Sequence, residues 1–178
     1  MTSAGAPGRW VLLDVDGVLN PDFSAAVRGH LASREGWVGR WCDLPEGRFQ
    51  LFVNPRHGHW LRELVRETGV RLAWGTTWRD AANRYVAPLL GLPQLPVAPA
   101  RAGAGKALSV VPWTDGAPFA WIDNDEAQLR AAGRLTAETG QEFLPVRVDE
   151  NTGLTEEHIS RVRDWALVGS GSGQEDRD

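Results

Sequence analysis

Residues 10–20 read Trp10-Val11-Leu12-Leu13-Asp14-Val15-Asp16-Gly17-Val18-Leu19-Asn20. An apolar run with no polar alternation predicts a strand buried on both faces, Trp10 to Val15. Strands of that kind belong to parallel sheets covered by helices on either side. This one runs straight into two aspartates, two residues apart, and a glycine suited to a turn. In an open α/β sheet ligands bind beyond the carboxyl ends of the strands. The stretch therefore speaks both for the fold class and for where the chemistry sits.

Downstream, helical and strand patterns alternate. Trp60, Leu61, Leu64 and Val65 share one face of a helix expected over 55–68, with Gly69 as its C-cap. Val70–Gly75 reads as a second strand, followed by a helix from about Asp80 to Leu90. Leu95–Ala98 is expected as a short third strand, Lys106–Val111 as a brief helix and Pro118–Ile122 as a fourth strand. A helix at about 125–139, a strand at 143–148 and a helix from Thr155 to Leu167 close the series. The alternation predicts an α/β layered fold around a mainly parallel sheet. Residues 20–54 are too long for a simple connection. Within them Trp37–Trp41 and Arg48–Val53 flank the turn-rich Asp43-Leu44-Pro45-Glu46-Gly47, which predicts a β-hairpin over the site. The ends, 1–8 and 169–178, are small, polar or charged and are expected to be unstructured, leaving 9–168 as a single domain.

The chain has 178 residues, 42% hydrophobic and 24% charged, a globular composition. Its net charge of −4 argues against a strongly basic nucleic-acid binder. One cysteine, Cys42, excludes an internal disulfide and suits a reducing cytosol, so a cytoplasmic protein is expected. No apolar run reaches membrane-spanning length. Of the 19 basic residues one alone is lysine, Lys106.

Asp14 and Asp16 are the first candidates for chemistry. A buried pair of carboxylates is costly without a compensating cation. Hard oxygen donors with few others favour Mg²⁺. Asp14-Val15-Asp16-Gly17-Val18-Leu19-Asn20 resembles the first motif of the haloacid dehalogenase (HAD) superfamily of phosphohydrolases. Leu72-Ala73-Trp74-Gly75-Thr76 is similar to its second motif, Lys106 to its third, and Trp121-Ile122-Asp123-Asn124-Asp125 to its fourth, in the family's order and spacing.

The resemblance implies a three-layer Rossmann-like fold and a Mg²⁺-dependent phosphatase acting on a phosphomonoester through an aspartyl-phosphate. It makes Asp14 the nucleophile and Asp16 the acid that protonates the leaving oxygen and then activates water. Thr76, with Thr77 as its rival, would hydrogen-bond the phosphoryl group, and Lys106 would place its charge beside it. The metal would be held by Asp14, the Asp16 backbone carbonyl and Asp123. Asn124 stands where a second aspartate is common, and Asp125 is the candidate to take that place. A phosphotransferase of the same fold, or a silent binding module, are the competing readings.

Other signals carry less. Gly103-Ala104-Gly105-Lys106-Ala107 fails as a phosphate-binding loop because Ala100 and Ala107 replace the required glycine and hydroxyl. His57 and His59, two apart, do not share a helix face and predict no zinc site. Cys42 has no catalytic context. Trp10, Trp60, Trp121 and Trp165 fall on core patterns, whereas Trp37, Trp41 and Trp78 are candidates to stack on a flat leaving group. Arg79 is a candidate for a further phosphate or carboxylate. Neither inter-motif gap holds a full cap domain, so the site is expected to be open, roofed by the hairpin. Openness suits a phosphate at the end of a large partner: a nucleic-acid terminus, a nucleotide or a phosphoprotein. The segments around Asp14, Thr76 and Gly153 also resemble HAD-type domains of bacterial RNA-repair proteins.

Overall fold

The computed structural model describes residues 8–24, 27–28, 36–44 and 47–168. The two ends read as unstructured, Gly8 apart, lie outside these residues, as does the Pro45-Glu46 centre of the hairpin. Strand β1 (Trp10–Leu13) is followed by the hairpin strands β2 (Val38–Leu44) and β3 (Gly47–Val53), then helix α1 (Pro55–Thr68) and β4 (Arg71–Trp74). A π-helical turn (Ala82–Val86) runs into α2 (Ala87–Leu90), and a 3-10 turn (Gly103–Gly105) opens α3 (Lys106–Trp113). Strand β5 (Phe119–Asp123), α4 (Glu126–Thr139), β6 (Phe143–Arg147) and α5 (Glu156–Val168) complete the order. The sheet runs β4-β1-β5-β6 and every pair in it is parallel.

Successive side chains leave a strand on opposite faces, and β1 shows the consequence. Val11 and Leu13 enter a core with Leu61 and Leu64 of α1 and Ile159 and Val162 of α5. Trp10 and Leu12 enter a second core with Val110 of α3 and Leu129 and Ala132 of α4. Helices on both faces make the three layers. The same parity carries Asp14 and Asp123 toward the α3 side, one step beyond Leu12 and Trp121. The fold class read from the sequence is the one observed, and among the described residues the hairpin is the one substantial addition to the layers. No described helix is long and apolar enough to cross a membrane.

Helix α1 forms where its caps demand. The Asn54 side chain accepts the Arg56 N–H at 3.0 Å, Pro55 opens the first turn, and Gly69 closes the last. Within it, a Cβ at Gly58 would lie 1.8 Å from the Leu90 carbonyl oxygen, so glycine alone lets α2 approach this closely.

One expectation is corrected. Leu95–Ala98 is no full strand: Val97 makes a single parallel bridge to Trp74. Pro93, Pro96 and Pro99 remove the N–H donors a ladder needs. The helix expected from Asp80 to Leu90 is observed over those residues, with a π turn inside it at Ala82–Val86, in which the Ala87 N–H reaches the Ala82 carbonyl. Pro88 has no N–H with which to close an ordinary turn onto Arg84.

The hairpin is anchored at both ends. At its base Trp37 stacks on Phe52 (5.2 Å, 7°), with the edges of Phe23 and His57 against Trp37. Cys42, Leu51 and Val53 are buried from its inner face. Toward its tip the Tyr85 hydroxyl, on the π turn, donates to the Asp43 carbonyl at 3.0 Å.

Candidate active site

A cavity of about 480 Å³ opens at the carboxyl ends of β1 and β5, lined by Asp14, Asp16, Lys106, Asn124 and Asp125 among others. Lys106, the first residue of α3, reaches between two strand ends. Its Nζ lies 2.7 Å from Asp123 Oδ2 and 3.1 Å from Asp14 Oδ2. Gln128 fixes the start of that helix, accepting the Ala107 N–H at 2.9 Å and donating to the Gly103 carbonyl at 3.1 Å. The Trp121 ring lies beneath the ammonium, 5.4 Å from Nζ. Asp123 is fully buried, and its other oxygen accepts the Asp125 N–H at 2.8 Å.

Burial raises the Asp14 carboxyl to a pKa of about 7, Asp123 adding to the rise and Lys106 and the Thr76 hydroxyl opposing it. Asp123 is likewise raised by burial, against the pull of Lys106. For Lys106, burial pulls downward, but the two carboxylates outweigh it and raise the ammonium above its ordinary value. One ammonium does not neutralise two buried acids.

Asp16 is held differently. It is exposed, with Oδ1 accepting from Asn20 Nδ2 at 3.0 Å and Oδ2 from Trp78 Nε1 at 2.7 Å. Asn20 Oδ1 in turn accepts the Phe52 N–H of β3 at 2.8 Å, which turns the amide so that its NH₂ faces Asp16. Gly17, at φ +76°, makes room beside them: a Cβ there would lie 2.5 Å from Asn124 Cγ.

The remaining candidates divide. Thr76 is fully buried, its hydroxyl against Asp14 and accepting the Trp78 N–H at 3.3 Å, whereas Thr77 is exposed on the cavity wall. Asp125 caps α4, its Oδ1 accepting the Ala127 and Gln128 N–H groups at 2.9 and 3.1 Å. Asn124 donates to Glu150 at 3.2 Å. Arg79 faces a neighbouring groove and is absent from the wall around Asp14.

The stacking expectation is corrected for Trp37, which is buried against Phe52. Trp78 is 8% exposed, on the wall of a neighbouring groove with its N–H on Asp16. Trp41 is 55% exposed, but on the outer hairpin face beneath the Arg48 guanidinium. Trp10 and Trp121 are buried as expected, and Trp60 and Trp165 half-buried. His57 packs between Trp37 and Trp60.

Sequence reading missed the roles of Asn20 and of the Trp78 N–H, and missed Asp22, Arg28 and Glu150 on the cavity wall. Asn20 had a signal: it ends the first motif.

The cavity wall carries five carboxylates, Asp14, Asp16, Asp22, Asp125 and Glu150, against Lys106 and Arg28. A phosphate dianion is repelled from such a wall unless a further cation enters, and hard oxygen donors fit Mg²⁺. Among the described residues no three His, Cys, Asp or Glu side chains form a metal cluster. The donor set implied by the family resemblance needs only two carboxylates and a backbone carbonyl, and the carboxylate-rich wall around Asp14 and Asp16 suits such an ion.

Compared with known proteins, residues 10–159 match the family model described as the HAD domain in Swiss Army Knife RNA repair proteins. No curated protein matches the chain. Among solved structures, it is similar to the crystal structure of 3-deoxy-D-manno-octulosonate 8-phosphate phosphatase from Yersinia pestis. That likeness is 18% in sequence identity, covers 92% of this chain and 82% of that one, and has a TM-score of 0.44.

Proposed function

The chain belongs to the family of HAD domains in Swiss Army Knife RNA repair proteins, and from that premise we propose that it is a Mg²⁺-dependent phosphatase removing a terminal phosphomonoester from RNA. The observation that carries the reading is the single lysine bridging Asp14 and Asp123 beside Asp16, at the carboxyl edge of a parallel sheet. Residues 9–168 form the catalytic unit in this proposal. Cys42, free and buried, suits work in a reducing compartment such as the cytoplasm.

Asp14, held by Lys106 and Thr76, attacks phosphorus through a carboxylate oxygen. The bond from phosphorus to the leaving oxygen breaks as Asp16 delivers its proton to that oxygen. Asp16, now ionised, takes a proton from a water whose oxygen attacks phosphorus. The aspartyl-phosphate then breaks at its P–O bond, releasing phosphate and restoring both acids. Lys106 neutralises charge on the transferring group, while Thr76 and Thr77 offer hydroxyls to it. Asp14, the Asp16 carbonyl and Asp123 would hold the ion, which supplies charge neutralisation when bound. Asp125 stays as the cap of α4, and Asn124 lines the approach.

Hydrolysis of p-nitrophenyl phosphate and of 3′- and 5′-phosphorylated RNA, with Mg²⁺ and with EDTA, tests the reading. Turnover lost in EDTA, and lowered at least about a thousandfold by Asp14→Asn, is expected. Turnover indifferent to that substitution would sink the proposal.

A further inference from the structure

A second groove, of about 850 Å³, adjoins the cavity that contains Asp14. Asp16, Thr77 and Ala102 line both spaces, so the proton donor of the proposed mechanism stands at their junction. The bond that breaks lies between the phosphorus attacked by Asp14 and the oxygen protonated by Asp16. Whatever the phosphate departs from therefore extends past Asp16, away from Asp14, into this groove. Its volume accepts a group of nucleotide size.

The walls say what chemistry suits it. Phe49, 42% exposed, offers an aromatic face from the same side of the hairpin as the buried Cys42 and Leu51. Arg79 and Arg101 are exposed on the same groove, and neither enters an ion pair among the described residues. Asp80 also lines the groove without pairing with them. Arg79 is held at φ +51°, a left-handed conformation unfavourable for a bulky side chain, in the turn that follows Thr76. In a chain of net charge −4, two unpaired guanidinium groups beside an exposed ring are a local feature.

Resting on the phosphatase reading above, we propose that this groove is the leaving-group subsite for single-stranded nucleic acid. Phe49 stacks on the base next to the departing phosphate, and Arg79 and Arg101 meet the backbone phosphates that follow. A flat ring joined to repeating anions matches this wall, and a phosphopeptide supplies that pairing only by accident of sequence.

The test measures binding apart from turnover. Fluorescence anisotropy follows labelled ten-nucleotide single-stranded RNA, carrying a 3′- or 5′-phosphate, on the full chain bearing Asp14→Asn in Mg²⁺. Adding Arg79→Gly and Arg101→Ala weakens binding at least about tenfold and lowers the salt slope by about 0.7 per lost phosphate contact. Glycine keeps the left-handed turn without strain. Phe49→Ala, which leaves both arginines in place, weakens binding about fivefold or more. Unchanged affinity in both variants, or a phosphopeptide of equal length bound as tightly as RNA, overturns the subsite. Absent hydrolysis of p-nitrophenyl phosphate by the unsubstituted chain overturns the phosphatase reading instead, and the anisotropy series judges the groove regardless.

Discussion

Asp14 and Asp16 are two residues apart, yet they are held by different parts of the molecule. Asp14 is buried at the end of β1, its position set by the parallel ladder and by Lys106 at the start of α3. Asp16 is exposed, and its two oxygens depend on Asn20 and Trp78, with the hairpin's Phe52 orienting Asn20. In the proposed mechanism the nucleophile thus belongs to the sheet, whereas the acid–base group belongs to the docking of the hairpin. Substitutions on the sheet side should abolish chemistry outright. Those on the hairpin side should grade it.

The largest effect is expected from Lys106→Met. It removes the cation that bridges two buried carboxylates, so kcat falls about a thousandfold, equivalent to about 4 kcal/mol. The variant also loses stability, because two buried acids are left without their ammonium partner. Both acids are raised by burial in the parent, so in the variant the unfolded chain releases protons more readily than the folded one. Its deficit therefore grows as pH rises and shrinks on acidification. Urea melts in EDTA at pH 5 and pH 8 measure this, and a deficit larger at pH 5 contradicts the arrangement. Lys106→Arg should fail to restore activity, since a planar fork does not occupy the place of a compact ammonium between two oxygens.

His57, in α1 against the base of the hairpin, makes the next largest difference. Burial, with Arg56 nearby, lowers its pKa from 6.5 to about 4, and its Nδ1 finds no protein partner among the described residues. Between those values the unfolded chain binds the proton and the folded one does not. The stabilising effect is thus complete above pH 6.5 and is lost as pH falls toward 4, by about 3 kcal/mol at most. Asp14, raised, works in the opposite sense over part of this range, so the comparison must be between the parent and His57→Phe. The variant's stability should decline less from pH 7 to pH 4.5, and equal slopes in denaturant melts contradict the assignment.

Trp78→Phe keeps the buried ring and deletes one donor to Asp16. A loss of about thirtyfold in kcat, or about 2 kcal/mol, is expected on alkyl phosphates, whose leaving oxygen needs a proton. On p-nitrophenyl phosphate, with its stable leaving anion, the loss should be smaller. A merely structural role for Trp78 would lower both substrates equally.

The two halves of the site also differed in how far the sequence disclosed them. Local pattern made Asp14 and Asp123 legible as strand ends and Lys106 as a solitary lysine, while the resemblance to the HAD motifs joined the three into one site. Helix α1 was legible to its ends because Asn54, Pro55 and Gly69 are local caps. The hydrogen bonds to Asp16 were not legible, since Trp78 stands 62 residues away and the Phe52 N–H meets Asn20 across 32. Nothing local in Trp78 says whether its ring faces a ligand or the core, which is why it was expected to stack. The single bridge at Val97 and the π turn inside the 80–90 helix have a related cause. Apolar content suggested a full strand and a regular helix, but Pro93, Pro96 and Pro88 lack the donors that would complete them.

Tyr85 offers the smallest and most selective test of the division. Its hydroxyl ties the π turn to β2, donating to the Asp43 carbonyl at 3.0 Å in an exposed hydrogen bond. Tyr85→Phe keeps the ring and removes that bond, so global stability should fall by about 1 kcal/mol or less. The base of the hairpin is secured separately by Trp37, Phe52 and His57, so the tip loosens while Phe52 stays in place to orient Asn20. Amide exchange at Leu44 and Gly47, opposite each other near the turn, should quicken, and exchange at Phe52 should not. Hydrolysis of p-nitrophenyl phosphate should then stay within about twofold of the parent, because Asp14 and Asp16 keep their partners. If Phe52 exchange rises together with the tip, the hairpin opens as one body, and Asp16 is coupled to its whole length and not to its base alone.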